Sequence, residues 1–384
     1  KYGRKFGVVD DFGVLGRKNP YRLSINPFSA GVTGALNGTD ELMFINENFA
    51  HALVQEPKDD SKNFYWRETP RSLLDLGLNI LLRQDHRLAT PGGLSSFLND
   101  PSMWNAAIEV EADDETSPLR TAAQQALEMR DFNPEHWSQH IQAARTALKI
   151  FSSGPLSLAG RNADITHEEL LRDKWIVCFV NPARYAERLG AYFALHFLSL
   201  LEAQLTGKFG QAEYVLDEYC NAPLKNLVTK ITIFRAYGAR AHFIAQSRSD
   251  SIKQYGEKET QTLIENCSVV QYLKFSSIDE AERVSKAMGE TLTINESINY
   301  NSDKLEFSGG FNTGKDRLLT ANELMSLPDD EQVIYIAGVG WIHCRKIRQN
   351  NLAPTCHDLG INPLEGGRLE PKPLVTLPVP EVPS

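Results

Sequence analysis

The stretch Gln211 to Ser247 constrains this chain more than any other. Ala212-Glu213-Tyr214-Val215-Leu216 is a short β-rich run that ends in two adjacent acids, Asp217 and Glu218. Ala241-His242-Phe243-Ile244-Ala245 is a second such run, ending in Gln246. The residues between them, Leu224 to Tyr237, have the pattern of a helix, with Gly238 placed to cap it. Strand, helix, strand predicts a parallel pair, because two strands joined by a crossover helix run the same way. Both carboxyl ends then carry polar groups, and ligands of open α/β sheets bind at those ends.

An apolar strand running into Asp-Glu is the Walker B pattern of nucleotide-hydrolysing motors. On that pattern Asp217 holds Mg²⁺, usually through water, and Glu218 polarises the attacking water. The alternative is a strand that runs into an acidic turn, and the dipeptide alone does not decide between them.

Further residues narrow the choice. VLDEY at 215–219, FRAYGARAHFIAQS at 234–247, YGEKETQTLIENC at 255–267, SSIDEAERVSKAMGE at 276–290 and RLLTANELMSLPDDEQVIYIAG at 317–338 resemble the type IV coupling proteins. These are hexameric ATPases that feed DNA or protein substrates into conjugation and type IV secretion machines. The blocks keep the order and spacing of TraG/TraD-type members, and INPF at 25–28 and FYWRETPRSLL at 64–74 fit more loosely. The resemblance implies a RecA-like P-loop NTPase domain, α/β with a mostly parallel sheet, interrupted by an all-α domain. It implies ATP and Mg²⁺ as cofactors, Asp217 as the metal-side carboxylate and Glu218 as the catalytic one. Gln246 would bond the attacking water or the γ-phosphate. Arg235, in an R-x-Y-G segment, would act on the nucleotide of a neighbouring subunit, where a planar guanidinium meets phosphate oxygens two at a time. Otherwise Arg235 is a surface arginine in an ion pair and Gln246 a glutamine capping a strand end.

The same resemblance implies partners and place. These are the secretion channel and its ATPases, a relaxase–DNA complex or protein effectors and adaptors, DNA in a central pore, and a homohexamer. The site of action would be the cytoplasmic face of the bacterial inner membrane. Coupling proteins carry a membrane anchor and a phosphate loop ahead of the first strand visible here, so both are expected upstream of Lys1. A chain with Asp217, Glu218 and Gln246 but no P-loop lysine is then expected to be inactive alone. The other function this leaves open is a non-hydrolysing substrate receptor or scaffold of the same fold.

Composition sets bounds on these expectations. The net charge is −9, so no global basic field advertises nucleic acid, and any DNA contact must be local. The five cysteines are single and form no CxxC, which suits a reducing compartment. The apolar run from Leu189 to Leu201 is interrupted by His196, is shorter than the ~20 residues of a spanning helix, and reads as a core helix.

In chain order, strands are expected at Phe6–Val9 and Tyr21–Ile25, with helices at Thr39–Val54, Arg71–Arg83, Gly93–Leu98, Leu119–Arg130 and Pro134–Phe151. Strands at about 175–180, 212–217, 241–246, 269–275 and 333–338 are expected in one mostly parallel sheet, with 64–165 helical and outside it. The domain plan is 1–60 and 169–350 as two parts of a nucleotide-binding domain, 61–168 as the all-α domain, and 351–384 as a Pro-rich, extended or disordered tail. Val8 to Gly13 occupies the place of the family's strand ending in Asp-Pro-Lys-Gly, which it matches imperfectly.

Three other features compete. Gly309 to Lys315 has the G-x-x-x-x-G-K spacing of a phosphate loop, but polar residues precede it and Asp316 follows where a Ser or Thr is needed, so a flexible loop is expected. His136 and His140, four apart on a helix, could share a metal but lack a third ligand, and are expected on a solvated face. Arg345, Lys346 and Arg348 form a short basic cluster that could touch DNA phosphates or simply be solvated.

Overall fold

The computed structural model describes residues 3–54, 64–220, 233–301, 306–361 and 366–377. The chain divides into two compact units, Lys1–Leu263 and Ile264–Ser384.

The first unit starts with strand β1 (Phe6–Val9) and the short β2 (Arg22–Leu23), followed by helices α1 (Ser29–Asn37) and α2 (Leu42–Leu53). A long helical excursion comes next: α3 (Phe64–Asp85), α4 (Pro91–Asn99), α5 (Pro101–Asp113), α6 (Arg120–Phe132), α7 (Pro134–Ala147) and α8 (His167–Arg172). Its helices start where the sequence says they should. Thr90 accepts from the Gly93 N–H at 3.0 Å and Asp100 from the Ser102 N–H at 3.0 Å, each with proline at the first helical position. Thr166 and Glu169 close a capping box on α8. The interior is apolar and close-packed. Trp104 is 1% exposed and meets Phe97 edge-on, with ring centroids 5.4 Å apart.

The chain then returns to the place it left. Strand β3 (Ile176–Phe179) pairs in parallel with β1, Phe6 opposite Ile176 through Val9 opposite Phe179, and β2 flanks β1 on the other side. The helices from α3 to α8 are therefore an insertion between neighbouring strands. Helix α9 (Gly190–Leu205) follows, then β4 (Ala212–Leu216), β5 (Ala239–Phe243), α10 (Arg248–Tyr255) and α11 (Glu257–Asn266). Strands β4 and β5 are parallel, Ala212 opposite Ala239 through Leu216 opposite Phe243. Helix α9 serves both sheets. His196 packs on Phe179 of β3 at 5.0 Å, and Phe197 packs on Tyr214 of β4 at 5.9 Å. Gly238 enters β5 with φ +74, and a Cβ there would lie 2.8 Å from the Gly210 carbonyl oxygen, so both conformation and space demand glycine. Most of the helix expected at Leu224–Tyr237 lies outside the described residues; its last three, Arg235–Tyr237, form a 3-10 turn.

The second unit holds β6 (Val269–Tyr272), α12 (Ile278–Met288), β7 (Glu290–Asn301), β8 (Glu306–Arg317), α13 (Ala321–Met325), β9 (Glu331–Ile336), β10 (Gly340–Arg345), β11 (Leu352–Ala353) and β12 (Val375–Thr376). Its core is Phe275, Ala281, Val284, Leu324 and Val333, where α12 and α13 cover one face of a sheet.

Two expectations need correction here. The five strands expected in one mostly parallel sheet fall in three: β3 pairs in parallel with β1, β4 in parallel with β5, and β6 and β9 are antiparallel in a three-stranded sheet with β10. A three-residue connection from β9 to β10 can only make a hairpin, and a hairpin is antiparallel. The segment 309–316 is strand rather than flexible loop. It belongs to β8, which pairs with β7 from Glu290–Arg317 to Asn301–Glu306. Within the 351–384 tail, Leu352–Ala353 (β11) and Val375–Thr376 (β12) pair in parallel.

Candidate active site

Strands β4 and β5 end side by side, and the ladder continues one step past them. The Ile244 N–H donates to the Leu216 carbonyl at 3.1 Å, and the Tyr219 N–H donates to the Ile244 carbonyl at 3.2 Å. Between those bonds the chain turns out of the sheet at Asp217 and Glu218. Glu218 turns it with φ +46, a left-handed conformation rare for a residue with a side chain. Such strain persists where the surroundings enforce it, and it gathers at functional sites. The turn brings the Glu218 side chain under the end of β5, where the Gln246 Nε2 donates to its Oε1 at 2.9 Å. Asp217, Glu218 and Gln246 are all exposed.

The structure thus joins three of the four predicted site residues at one sheet edge. Glu218 and Gln246, 28 residues apart, are in direct contact, and Asp217 is adjacent in the chain. Arg235 does not join them. It is exposed in the 3-10 turn that leads into β5, at the opposite end of the strand from Gln246.

The base beneath the site is buried and polar. Tyr219, 7% exposed, stacks on Tyr255 with centroids 5.7 Å apart and meets Phe243 edge-on at 5.4 Å. Its hydroxyl donates to Ser251 Oγ at 2.7 Å, and Ser251 pairs with Thr260 Oγ1 at 3.1 Å. Residue 219 lies within the VLDEY block, but a tyrosine after two acids carries no signal of its own; only the fold shows what its hydroxyl meets.

The other candidates separate clearly. At the end of β1, the buried Asp10 carboxylate accepts from the Val14 and Leu15 N–H groups at 2.9 and 2.8 Å and caps its own turn. Asp11 accepts from the Tyr192 hydroxyl at 2.7 Å, and burial raises its pKa. The 309–316 segment, extended and paired with β7, is not the loop between a buried strand and a helix that phosphate binding needs. His140 is fully buried rather than on a solvated face, in ring contact with Tyr65 and Trp66 at 4.9 Å each, and burial lowers its pKa. Among the described residues no three His, Cys, Asp or Glu side chains are grouped to hold a metal. In the basic cluster, Arg345 lies 4.0 Å from Asp330 and Lys346 Nζ donates to the Asp329 carbonyl at 2.8 Å, so these two serve the acidic turn before β9. Among the described residues no helix is long and apolar enough to cross a membrane.

Comparison with known proteins agrees with this geometry. Residues 211–329 match the family model described as the TraM recognition site of TraD and TraG. No curated protein matches the chain. Among solved structures, the unbound bacterial conjugative coupling protein TrwBΔN70 aligns with a TM-score of 0.64 and 16% identity, covering 91% of this chain and 76% of that one. TrwB with a non-hydrolysable ATP analogue aligns with a TM-score of 0.64 and 15% identity over 91% of this chain and 76% of its own. TrwB with ADP and Mg²⁺ aligns with a TM-score of 0.61 and 17% identity over 90% and 79%. At such identities the structural likeness establishes the fold, a RecA-like α/β domain with a helical insertion. Residues 211–329 are thus similar to the TraM recognition site of TraD and TraG, and over 91% of its length the chain shares the fold of the conjugative coupling protein TrwB.

Proposed function

We propose that this chain is the motor part of a coupling ATPase that recruits DNA–protein or protein substrates and drives their transfer through a conjugation or type IV secretion channel. The observation that carries the proposal is the Glu218–Gln246 contact at the carboxyl ends of two parallel strands, with Asp217 beside it. A ring of six subunits, DNA in its central pore, a relaxase complex or effector as cargo, and the inner membrane as the place of action belong to the same proposal.

The donor set fits ATP with Mg²⁺. Exposed carboxylate oxygens are the hard ligands that Mg²⁺ prefers, and Asp217 presents them where α/β sheets receive ligands. When bound, Mg²⁺ neutralises charge on the phosphates. The protein's own part is then positional. Asp217 would be the residue that holds the metal. Glu218, held at Oε1 by Gln246, would accept from a water and polarise it towards the γ-phosphate. Gln246 fixes that carboxylate and reports, through the same bond, whether a nucleotide has drawn it away. Arg235, at the far end of β5, serves the site of a neighbouring subunit.

The test uses the full-length protein. Glu218→Gln keeps size and hydrogen bonding but removes the charge. It is expected to leave ATP binding nearly intact and to lower turnover by about 10²–10⁴-fold, the range for a positioned general base. Asp217→Asn is expected to show a defect that eases as Mg²⁺ rises. Full turnover by Glu218→Gln removes the hydrolytic role and leaves a receptor or scaffold.

A further inference from the structure

The residue after the acidic pair is tied to its surroundings more thoroughly than packing requires. A phenylalanine at 219 would keep the stack on Tyr255 and the edge contact with Phe243. The tyrosine adds a chain of three buried hydroxyls, Tyr219 to Ser251 to Thr260, at 2.7 and 3.1 Å, with exposures of 7%, 2% and 1%. Buried polar chains of this kind specify one geometry, because any other leaves a donor unpaired. The main chain of Tyr219 is held as well. Its N–H donates to Ile244 at 3.2 Å, and its carbonyl accepts from the Tyr255 hydroxyl at 3.5 Å.

Ser251 and Tyr255 both belong to α10, and α10 begins one residue after Ser247. Ser247 caps it, accepting from the Asp250 N–H at 3.1 Å and donating to Asp250 Oδ2 at 2.7 Å. The residue before that cap is Gln246. One helix therefore anchors both neighbours of the Glu218–Gln246 contact, Tyr219 on one side and Ser247 on the other. Between its anchors Glu218 sits in the left-handed region, where an untethered glutamate would relax.

We propose that Tyr219 is a positioning residue for hydrolysis, holding the Glu218 carboxylate against Gln246 by locking the turn onto α10 through Ser251. The proposal rests on the reading of Glu218 as the water-polarising carboxylate. A displacement of about 1 Å in such a group can cost up to about 100-fold in rate, and loss of one tether from several is a part of that.

The experiment is steady-state and single-turnover ATPase kinetics of the full-length protein. Tyr219→Phe is expected to lower kcat about tenfold, with KM and nucleotide affinity within about twofold of wild type. Ser251→Ala, which removes the acceptor from the other side, is expected to do the same. The deciding measurement is each substitution in the Glu218→Gln background, where no further loss is expected because the group being positioned is already inert. Wild-type kcat in both single variants overturns the proposal. So does an equal loss with and without Glu218, which marks a general structural role. Full activity of Glu218→Gln alone overturns the site itself, and is distinguishable because it does not involve Tyr219.

Discussion

Arg235 and Gln246 bracket β5, a strand of five residues. At about 3.3 Å per residue the strand is ~17 Å long, beyond the reach of an arginine side chain from one end to the other. On the proposed reading Arg235 therefore acts on a neighbour's site rather than beside the Glu218 of its own subunit. The consequence is numerical. Full-length Arg235→Ala is expected to lose about 10³–10⁵ in rate and Glu218→Gln about 10²–10⁴, so each parent ring is nearly silent. When the two are mixed one to one and exchange freely, a site is competent if its Glu218 comes from an Arg235→Ala subunit and its arginine from a Glu218→Gln neighbour. Each condition holds half the time, so about a quarter of the sites regain both groups, and independent firing gives about a quarter of the wild-type rate per subunit. ATPase rate against mixing ratio should be an inverted parabola peaking at equal parts, under conditions where rings exchange subunits. A mixture that never exceeds the sum of its parents refutes action between subunits. The quarter holds for sites that fire independently, since at most every second site of a mixed ring can be competent.

Two further outcomes follow from other parts of the molecule. These 384 residues contain no strand-loop-helix phosphate cradle among those described, since the one G-x-x-x-x-G-K spacing lies in β8, so the isolated chain is expected to bind ATP weakly and turn it over at background rate; robust Mg²⁺-dependent turnover by the pure chain contradicts this. In the first unit, burial pushes the Asp75 carboxyl up to about 7, against a hydrogen bond from Asn79, and nearby Glu47 adds to the rise. A raised folded pKa means this group favours the fold when protonated: its contribution is fully present below about pH 4 and is lost as pH climbs to about 7. Asp75→Asn should therefore raise stability above pH 7 and change little at pH 4. The gain should be about 2 kcal/mol, half of the about 4 that the full shift corresponds to, because Asp75 keeps some contact with water. Thermal unfolding at both pH values checks it, and an equal effect at pH 4 and pH 8 contradicts it.

Much of the architecture was legible along the chain because its signals are local. Pro91 and Pro101 follow their capping residues directly, and the helices α4 and α5 begin there, although α5 itself drew no expectation: its start is well marked, but its apolar face is short. The β-rich runs expected near 175–180, 212–217 and 241–246 hold strands, β3 parallel to β1 and β4 parallel to β5. The β7–β8 ribbon was not legible. Its residues are polar and glycine-rich, and hydrophobic period is what makes a strand visible.

The sequence by itself determined the class of fold, the helical insertion between strands and the residue types at one strand end. Those depend on residue type and spacing over a few turns or one strand, where the physics is short-ranged. Only the tertiary structure decided partners. It turned β6 and β9 into an antiparallel sheet with β10, drew His140 off the surface into a nest of rings, and left Arg235 at the opposite end of β5 from Gln246. It also put Gln246 on Glu218 and three buried hydroxyls beneath them, across 28, 32 and 9 residues of chain. Contacts over such separations depend on how whole elements pack, and no local pattern encodes that.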